Sequence, residues 1–456
     1  MTRLGKCVTL CGTWNVNIIN HKRVAMNETK KATRREFLTG SKVAAGAAVA
    51  GGLTLARSAH GAGSDVIRIG LVGCGGRGTG AAVNCMDASK KIRLVAVADA
   101  FIDRAQSSLQ RLAQGHADQL DVTADRIFAG FDGYQNVLQC DIDLILLVTP
   151  PGFRPMQYRA AVEAGKHIFM EKPVCVDAPG FRSVMETNKL ADEKDLKVAV
   201  GLNSRHTPPC VESIARMHDG AIGELKLLRA YCNNAGVWVR PRQPGQSEME
   251  YQMRNWFYFV WLCGDHIVEQ HVHLIDRANW IKGDHPVEAN GMGGREVRKG
   301  PDHGQIFDHH FNEFTYADGT KLYSQCRHIV GCARMGGTIA HGVDGVGDSS
   351  GTITGKNPWE YTGPQVSGHA QEHVDWLEAI EKGAKYNEGW FGATSSMTAV
   401  LGRMATYSGQ VVRWDDAVAK GPDEMPPTLA FDVAPPVLPD ANGKYPVPMP
   451  GVFKPY

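Results

Sequence analysis

The chain has 456 residues, with 49 lysines and arginines set against 48 aspartates and glutamates, and 43% of its residues are hydrophobic. This near-neutral balance, without a basic stripe, argues against nucleic-acid binding, and the length is enough for two domains with sizeable cores. No internal repeat is evident, and low complexity is confined to the first 62 residues.

Thr33-Arg-Arg-Glu-Phe-Leu38, followed by an alanine- and glycine-rich apolar run from Val43 to Leu55, is similar to a twin-arginine (Tat) export signal. The run is too short and too weakly apolar to span a bilayer, and Ala56-Arg-Ser58 or Ala59-His-Gly61 offers small residues for cleavage. Residues 1–62 are therefore expected to be a leader read by the Tat export machinery, taking the chain to the periplasm with no stable membrane insertion. Met26 is the expected start, because residues 1–25 place apolar and cysteine residues ahead of the basic region. Nine of the 11 cysteines follow Met26 without a C-x-x-C pair or regular spacing, which favours buried thiols over a disulfide framework.

Beyond the leader, Val66 to Val72 is a short apolar strand running into Gly73-Cys-Gly-Gly-Arg-Gly78, which fits G-x-G-x-x-G, and a helix is predicted from Thr79 to Met86. The loop's glycines, Gly73, Gly75, Gly76 and Gly78, let the backbone approach a pyrophosphate, whose charge meets the N–H groups at the helix start; Arg77 lies within the same turn. A second strand, Ile92 to Ala98, ends at Asp99, near the usual ribose-binding position. A carboxylate there repels a 2′-phosphate and favours NAD over NADP, although Arg104 is close enough to weaken that preference. Arg126 to Ala129 and Ile142 to Val148 supply a third and a fourth strand, the latter ending at Thr149-Pro-Pro151.

A helix from about Pro155 to Ala164, capped by Gly165, returns the chain to the strand His167-Ile-Phe-Met170, a right-handed crossover. That strand ends in Glu171-Lys172-Pro173. Strand ends are where α/β sheets bind ligands, and Pro173 denies Lys172 the helical region and allows a cis bond, so the ammonium can be held over the sheet's carboxyl edge as a proton carrier. Lys197 to Gly201 is one more strand. Together the 73–78 loop, Asp99, Thr149-Pro150 and the Gly165 to Pro173 segment resemble the Gfo/Idh/MocA oxidoreductase family, named for glucose-fructose oxidoreductase and inositol dehydrogenase.

The resemblance covers nearly everything after residue 64. It implies an α/β fold: an N-terminal Rossmann-type doubly wound parallel sheet (63–203) followed by a C-terminal α+β domain with an open, mostly antiparallel sheet (204–420). It also assigns nucleotide contacts to Gly73, Gly75, Gly76, Arg77, Gly78, Asp99, Thr149, Pro150, Glu171 and Lys172, and sets Lys172 beside the nicotinamide and the substrate hydroxyl. One departure is Arg154, which stands where the family commonly carries a histidine and leaves that loop's nucleotide contacts open.

In the second half, Ala317-Asp-Gly319 marks a hairpin between Phe311 to Tyr316 and Thr320 to Gln325, and a helix runs from Pro209 to His218. Gly264 to Asp276, read as one helix, sets Asp265, Glu269, His273 and Asp276 on one face. The family pattern here is Asp-x-x-x-His-x-x-Asp; His273 and Asp276 match it and Glu269 replaces the first aspartate. The resemblance makes His273 a base for the sugar hydroxyl, with Lys172 sharing the proton work and Glu269 orienting one of them. Asp276, His266 and Arg205 are the candidate substrate-binding residues. His266, Glu269 and His273 would also make a metal donor set, but the family's hydride chemistry needs none and no metal is expected.

Asp308-His-His310 alternates on a strand, with His309 on one face and Asp308 and His310 on the other. Gly291-Met-Gly-Gly-Arg295 reads as a turn or bulge, Trp256 and Trp261 as core aromatics or sugar-stacking rings, and residues 421–456 as a proline-rich arm lying on a partner subunit or on the chain itself. The expected function is transfer of hydride from a ring carbon of a sugar, cyclic polyol or glycoside to tightly bound NAD, in a homo-oligomer. The alternative is an NAD-dependent glycoside hydrolase of the α-N-acetylgalactosaminidase kind, which oxidises C3 transiently and returns the hydride; export favours such a closed redox cycle.

Overall fold

A computed structural model describes residues 66–456; the leader and the Met26 start lie outside the described residues. Strands β1 (Ile67–Val72), β2 (Ile92–Asp99), β3 (Ile127–Ala129), β4 (Leu144–Leu147), β5 (His167–Met170) and β6 (Val198–Val200) form a six-stranded sheet in the order β3-β2-β1-β4-β5-β6. Every pairing in it is parallel. Helices α1 (Gly76–Ala88), α2 (Ile102–His116), α3 (Gly133–Gln139), α4 (Arg154–Glu163) and α5 (Ala178–Glu193) connect the strands. Helices on both faces explain the run Leu144-Ile-Leu-Leu147, all of it buried: a covered parallel strand has no wet side to carry polar residues.

The chain then enters a second sheet through α6 (Pro208–His218). Its strands are β7 (Leu225–Asn234), β8 (Glu288–Gly294), β9 (His309–Thr315), β10 (Lys321–His328), β11 (Met335–Gly342), β12 (Gly345–Asp348), β13 (Thr352–Gly355), β14 (Trp359–Glu360) and β15 (Val412–Arg413). They lie in the order β14-β13-β12-β11-β7-β10-β9-β8-β15, antiparallel except for β7 beside β10. Buried and half-buried residues alternate along β9 and β10, the pattern of a sheet with one covered face. Between β7 and β8 lie α7 (Glu248–Arg254), α8 (Val260–Cys263), α9 (His266–Glu269) and α10 (Val272–Lys282); α11 (Gly368–Lys382), α12 (Gly389–Ser408) and α13 (Trp414–Lys420) follow β14. One apolar core joins Ile168, Met170 and Val200 of the first sheet to Leu228 and Phe314 of the second.

Two expectations are corrected. Gly291 to Gly294 belongs to β8, paired along β9, and is neither turn nor bulge. Its glycines are a packing device: a Cβ on Gly291 would sit 2.8 Å from Thr406 Cγ2 on α12 and 2.7 Å from the Phe311 carbonyl, so larger residues would push the helix off the sheet. The single helix expected over 264–276 is broken. Asp265 has φ 75°, caps the short α9, and the chain turns again at Gln270-His271 before α10 begins. Residues 421–456 lie along the chain's own surface, where Phe431 packs on Phe101 and Phe131, and Tyr445 on Phe259. Among the described residues no helix is long and apolar enough to cross a membrane.

Candidate active site

The ends of β1, β4 and β5 lie side by side, because Val72 pairs with Leu147 and Leu147 with Met170. Their continuations, the 73–78 loop, Thr149-Pro150 and Glu171-Lys172, therefore converge at one carboxyl edge, the position at which open α/β sheets bind ligands. Gly73 has φ 95°, and a Cβ there would fall 2.5 Å from the Val148 carbonyl oxygen; a Cβ on Gly78 would fall 1.8 Å from the Gly73 carbonyl oxygen. Only glycine closes this turn. Gly76, by contrast, meets nothing within 4 Å and leaves the N-terminus of α1 open to a phosphate.

Next to the turn is a cavity of about 390 Å³, and all eight expected nucleotide residues from Gly73 to Pro150 line it. Asp99 faces it in a fixed orientation: Oδ2 accepts from Cys74 N at 2.7 Å and Oδ1 from Phe101 N at 3.0 Å. Burial raises the Asp99 carboxyl somewhat, against these two donors. Arg104 also lines the cavity, at the same end as Asp99. The cavity, the glycine cradle and the oriented Asp99 carboxylate fit a dinucleotide.

Glu171 takes a different place from the one expected. It is buried at 4% exposure, pairs with Arg77 Nε at 2.8 Å, and packs so closely on Gly201 that a Cβ there would lie 2.6 Å from Oε2. It holds Arg77 of the glycine loop, and neither it nor Lys172, the other expected nucleotide contact at this corner, lines the cavity. Arg154 is fully buried beside Glu171. Its buried guanidinium donates to the Thr149 carbonyl at 2.6 Å and the Glu171 carbonyl at 3.1 Å, so it clamps the ends of β4 and β5 together behind the cleft.

The Lys172-Pro173 peptide is cis. Lys172 Nζ donates to Glu269 Oε1 at 3.0 Å and to the Glu269 carbonyl at 2.6 Å, and Gln270 Nε2 donates to Glu269 Oε2 at 2.5 Å. Both partners of this pair are about one-tenth exposed, at 11% and 10%. His273, on α10, is half-buried, and its Nδ1 has no hydrogen-bond partner. Loss of hydration, reinforced by the Lys172 charge, holds the imidazole well below its usual range. A neutral histidine, its Nδ1 buried and unpartnered, thus lies within the field of a fixed ammonium.

The three candidate substrate-binding residues do not gather here. Asp276 is fully buried, receives Arg205 Nε at 2.9 Å and Nη2 at 2.9 Å, and accepts from Ser395 Oγ at 2.8 Å, so its carboxylate is consumed in scaffolding. Arg205 is further sandwiched over Phe391 at 3.7 Å and near Trp280 at 4.9 Å. His266 is fully buried and turned away from the cleft: its Nδ1 lies 2.8 Å from Asp265 Oδ1, and its ring lies 4.4 Å from that of His328. The broken helix is the cause, because the turn at 270–271 separates the face of α9 from that of α10.

Sequence reasoning missed the network behind His266. Asp265 accepts from Phe307 N at 2.9 Å and from Tyr407 Oη at 2.5 Å, and His310 Nε2 lies 3.3 Å from it. Alternation did put Asp308 and His310 on one buried face, with His309 half-exposed. Trp261 is core, donating to Gln252 at 2.8 Å, whereas Trp256 lines the cavity. Trp238 and Arg240 line it too; nothing in their surroundings in the sequence marks them as nucleotide-facing.

Residues 67–202 match the family model for Gfo/Idh/MocA proteins, described as oxidoreductase family, NAD-binding Rossmann fold. The chain is 28% identical over 221 residues to an inositol 2-dehydrogenase of Rhizobium meliloti (strain 1021), covering 48% of this chain and 56% of that one. It spans about half the length of the curated relatives it matches. In fold it is similar to an aldose-aldose oxidoreductase from Caulobacter crescentus complexed with glycerol (TM-score 0.58, 16% identity, 76% of this chain and 99% of that one). It is similar as well to GenD2 from gentamicin A biosynthesis in complex with NAD (TM-score 0.59, 15% identity, 76% and 96%). Residues 67–202 are thereby similar to the NAD-binding Rossmann fold of the Gfo/Idh/MocA oxidoreductases.

Proposed function

We propose that the protein oxidises a ring carbinol of a sugar, cyclic polyol or glycoside, passing the hydride to NAD held in the Gly73–Pro150 cavity. The observation that carries this reading is the Lys172–Glu269 pair on the carboxyl edge of the nucleotide sheet, with neutral His273 in its field. Bound nicotinamide supplies the hydride acceptor. The chain's own residues manage the other half of the reaction. As the carbinol C–H bond yields its hydride, the O–H bond yields a proton, and His273 is its acceptor in this reading. Lys172 donates a hydrogen bond to the developing alkoxide, and the two Glu269 oxygens keep its ammonium from swinging into solvent.

NAD is the proposed nucleotide, because the Asp99 carboxylate opposes a 2′-phosphate. Export through the Tat route to the periplasm and assembly into homo-oligomers are part of the same proposal; they rest on the Thr33–Leu55 segment and on the family resemblance.

The deciding experiment is to denature the purified protein, identify any released nucleotide by mass, and follow the nicotinamide absorbance of intact protein offered inositols, aldoses and aryl glycosides. Stoichiometric NAD with substrate-driven reduction supports the proposal. Release of aglycone without net NADH accumulation would replace it with the glycoside hydrolase cycle. Protein that neither carries nor binds a nucleotide would refute both.

A further inference from the structure

Most of the nucleotide cavity is built by residues 67–202, yet its outer wall comes from elsewhere. Trp238, Arg240, Met253 and Trp256 all line it, and all belong to the segment between β7 and α8, beyond the stretch that matches the NAD-binding domain. The segment is tied down at the adenosine end. Arg254 donates from both terminal nitrogens to the two Asp103 oxygens at 3.2 Å, and its guanidinium stacks 3.8 Å from the centre of the Phe101 ring. Phe101 and Asp103 stand two and four residues after Asp99, and the Phe101 N–H is one of the two donors that orient the Asp99 carboxylate. The wall is therefore pinned to the same turn that presents the ribose acceptor.

The wall has the chemistry of an adenosine site. Trp238 and Trp256 meet edge to face at 5.8 Å, and Arg240 lies 4.8 Å over Trp238, so aromatic surface and positive charge line the same cavity as the glycine cradle. Trp238 is 39% exposed, a large ring left half in solvent where a purine could cover it. The C-terminal arm backs the arrangement: Phe431 packs on Phe101 at 5.4 Å, and its carbonyl accepts from Ser247 Oγ at 2.8 Å.

We infer that residues 236–256 form a strap across the adenosine half of the dinucleotide, with Trp238 and Trp256 packing the adenine and the Arg254–Asp103 pair as the pin that must open before the nucleotide can leave. The inference rests on the nucleotide reading above and deepens it, because it makes slow release of the cofactor a property built into this chain.

The test is NADH release from the full chain, followed by fluorescence after mixing with excess NAD. Arg254→Ala and Trp238→Ala are each expected to release NADH about tenfold faster or more, with association altered far less. Asp103→Ala should speed release in the same direction but no more than Arg254→Ala, which also loses the Phe101 contact, and the double variant should be no faster than Arg254→Ala. Arg254→Lys keeps the charge but loses the paired contact, and should fall between. If Arg254→Ala fails to fold, the half-exposed Trp238 still decides the matter. Release rates in folded Arg254→Ala and Trp238→Ala within about twofold of the wild type would overturn the strap. Wild-type protein that binds no NADH at all would overturn the nucleotide reading along with it.

Discussion

Lys172 Nζ donates to two oxygens of one residue 97 positions away, the Glu269 carboxylate and the Glu269 backbone carbonyl. The second contact matters as much as the first. A carbonyl cannot rotate away as a side chain can, so the ammonium is aimed by the main chain of the α9 turn.

Lys172→Met removes the donor while keeping the length of the stem. We expect hydride transfer to fall by on the order of 10²–10⁴-fold with stoichiometric nucleotide still bound and the melting transition retained. Single-turnover reduction of bound NAD, alongside thermal unfolding, checks this. Undiminished turnover by the folded variant would remove Lys172 from the proposed chemistry.

Asp99→Ser tests the nucleotide choice. Loss of the carboxylate should weaken NAD binding about tenfold and improve NADP relative to NAD, because repulsion of a 2′-phosphate disappears while Arg104 stays in the cavity. Titration with both nucleotides reads the ratio directly; an unchanged ratio would mean that Asp99 does not face the ribose.

The buried titratable groups make opposing contributions to stability. Burial lowers His266 to about 4 and His271 and His373 to about 3, so below the unfolded histidine value the unfolded chain binds more protons and stability falls with falling pH. Each contributes a slope of about 1.4 kcal/mol per pH unit between roughly 6.5 and its folded value. Glu372 acts in the other direction. Burial, with the Glu171 charge adding to it, raises this carboxyl to about 7, so the folded chain holds the extra proton and stability is lost as pH rises from its unfolded value toward 7. Glu372→Gln is therefore expected to raise stability at pH 8 by on the order of 3 kcal/mol and to change it little at pH 4. Urea unfolding at the two pH values measures it, and equal effects at both would exclude a raised Glu372.

Asp265→Ala leaves the Phe307 N–H, the Tyr407 hydroxyl and two histidines without their shared acceptor in a buried site. A loss of about 3–5 kcal/mol is expected. Asp265→Asn, which keeps one carbonyl acceptor, should lose less. Urea denaturation of the two variants ranks them, and a mild effect of the alanine would mean that the network is dispensable.

Much of the nucleotide half was legible because its signals are local. An apolar strand, a glycine turn and a helix follow one another within about twenty residues, and the φ 95° of Gly73 or the crowding at Gly78 admits no other residue. The Glu171-Lys172-Pro173 corner was legible for the same reason. The second half was read less well. The four polar positions of 264–276 fit one helical face in periodicity, yet the left-handed Asp265 and the turn at 270–271 split that face, sending Asp265 into the core and leaving His273 in the field of Lys172.

By itself the sequence determined where strands and glycine turns lie and which residues stand at the ends of strands, since backbone sterics and a repeat of two or 3.6 residues act over short separations. Only the tertiary structure decided which of those residues meet: Lys172 with Glu269, Glu171 with Arg77, and Asp103 with Arg254 across 151 positions. Such pairings are chosen by the burial of whole faces, which leaves no spacing in the chain to betray them.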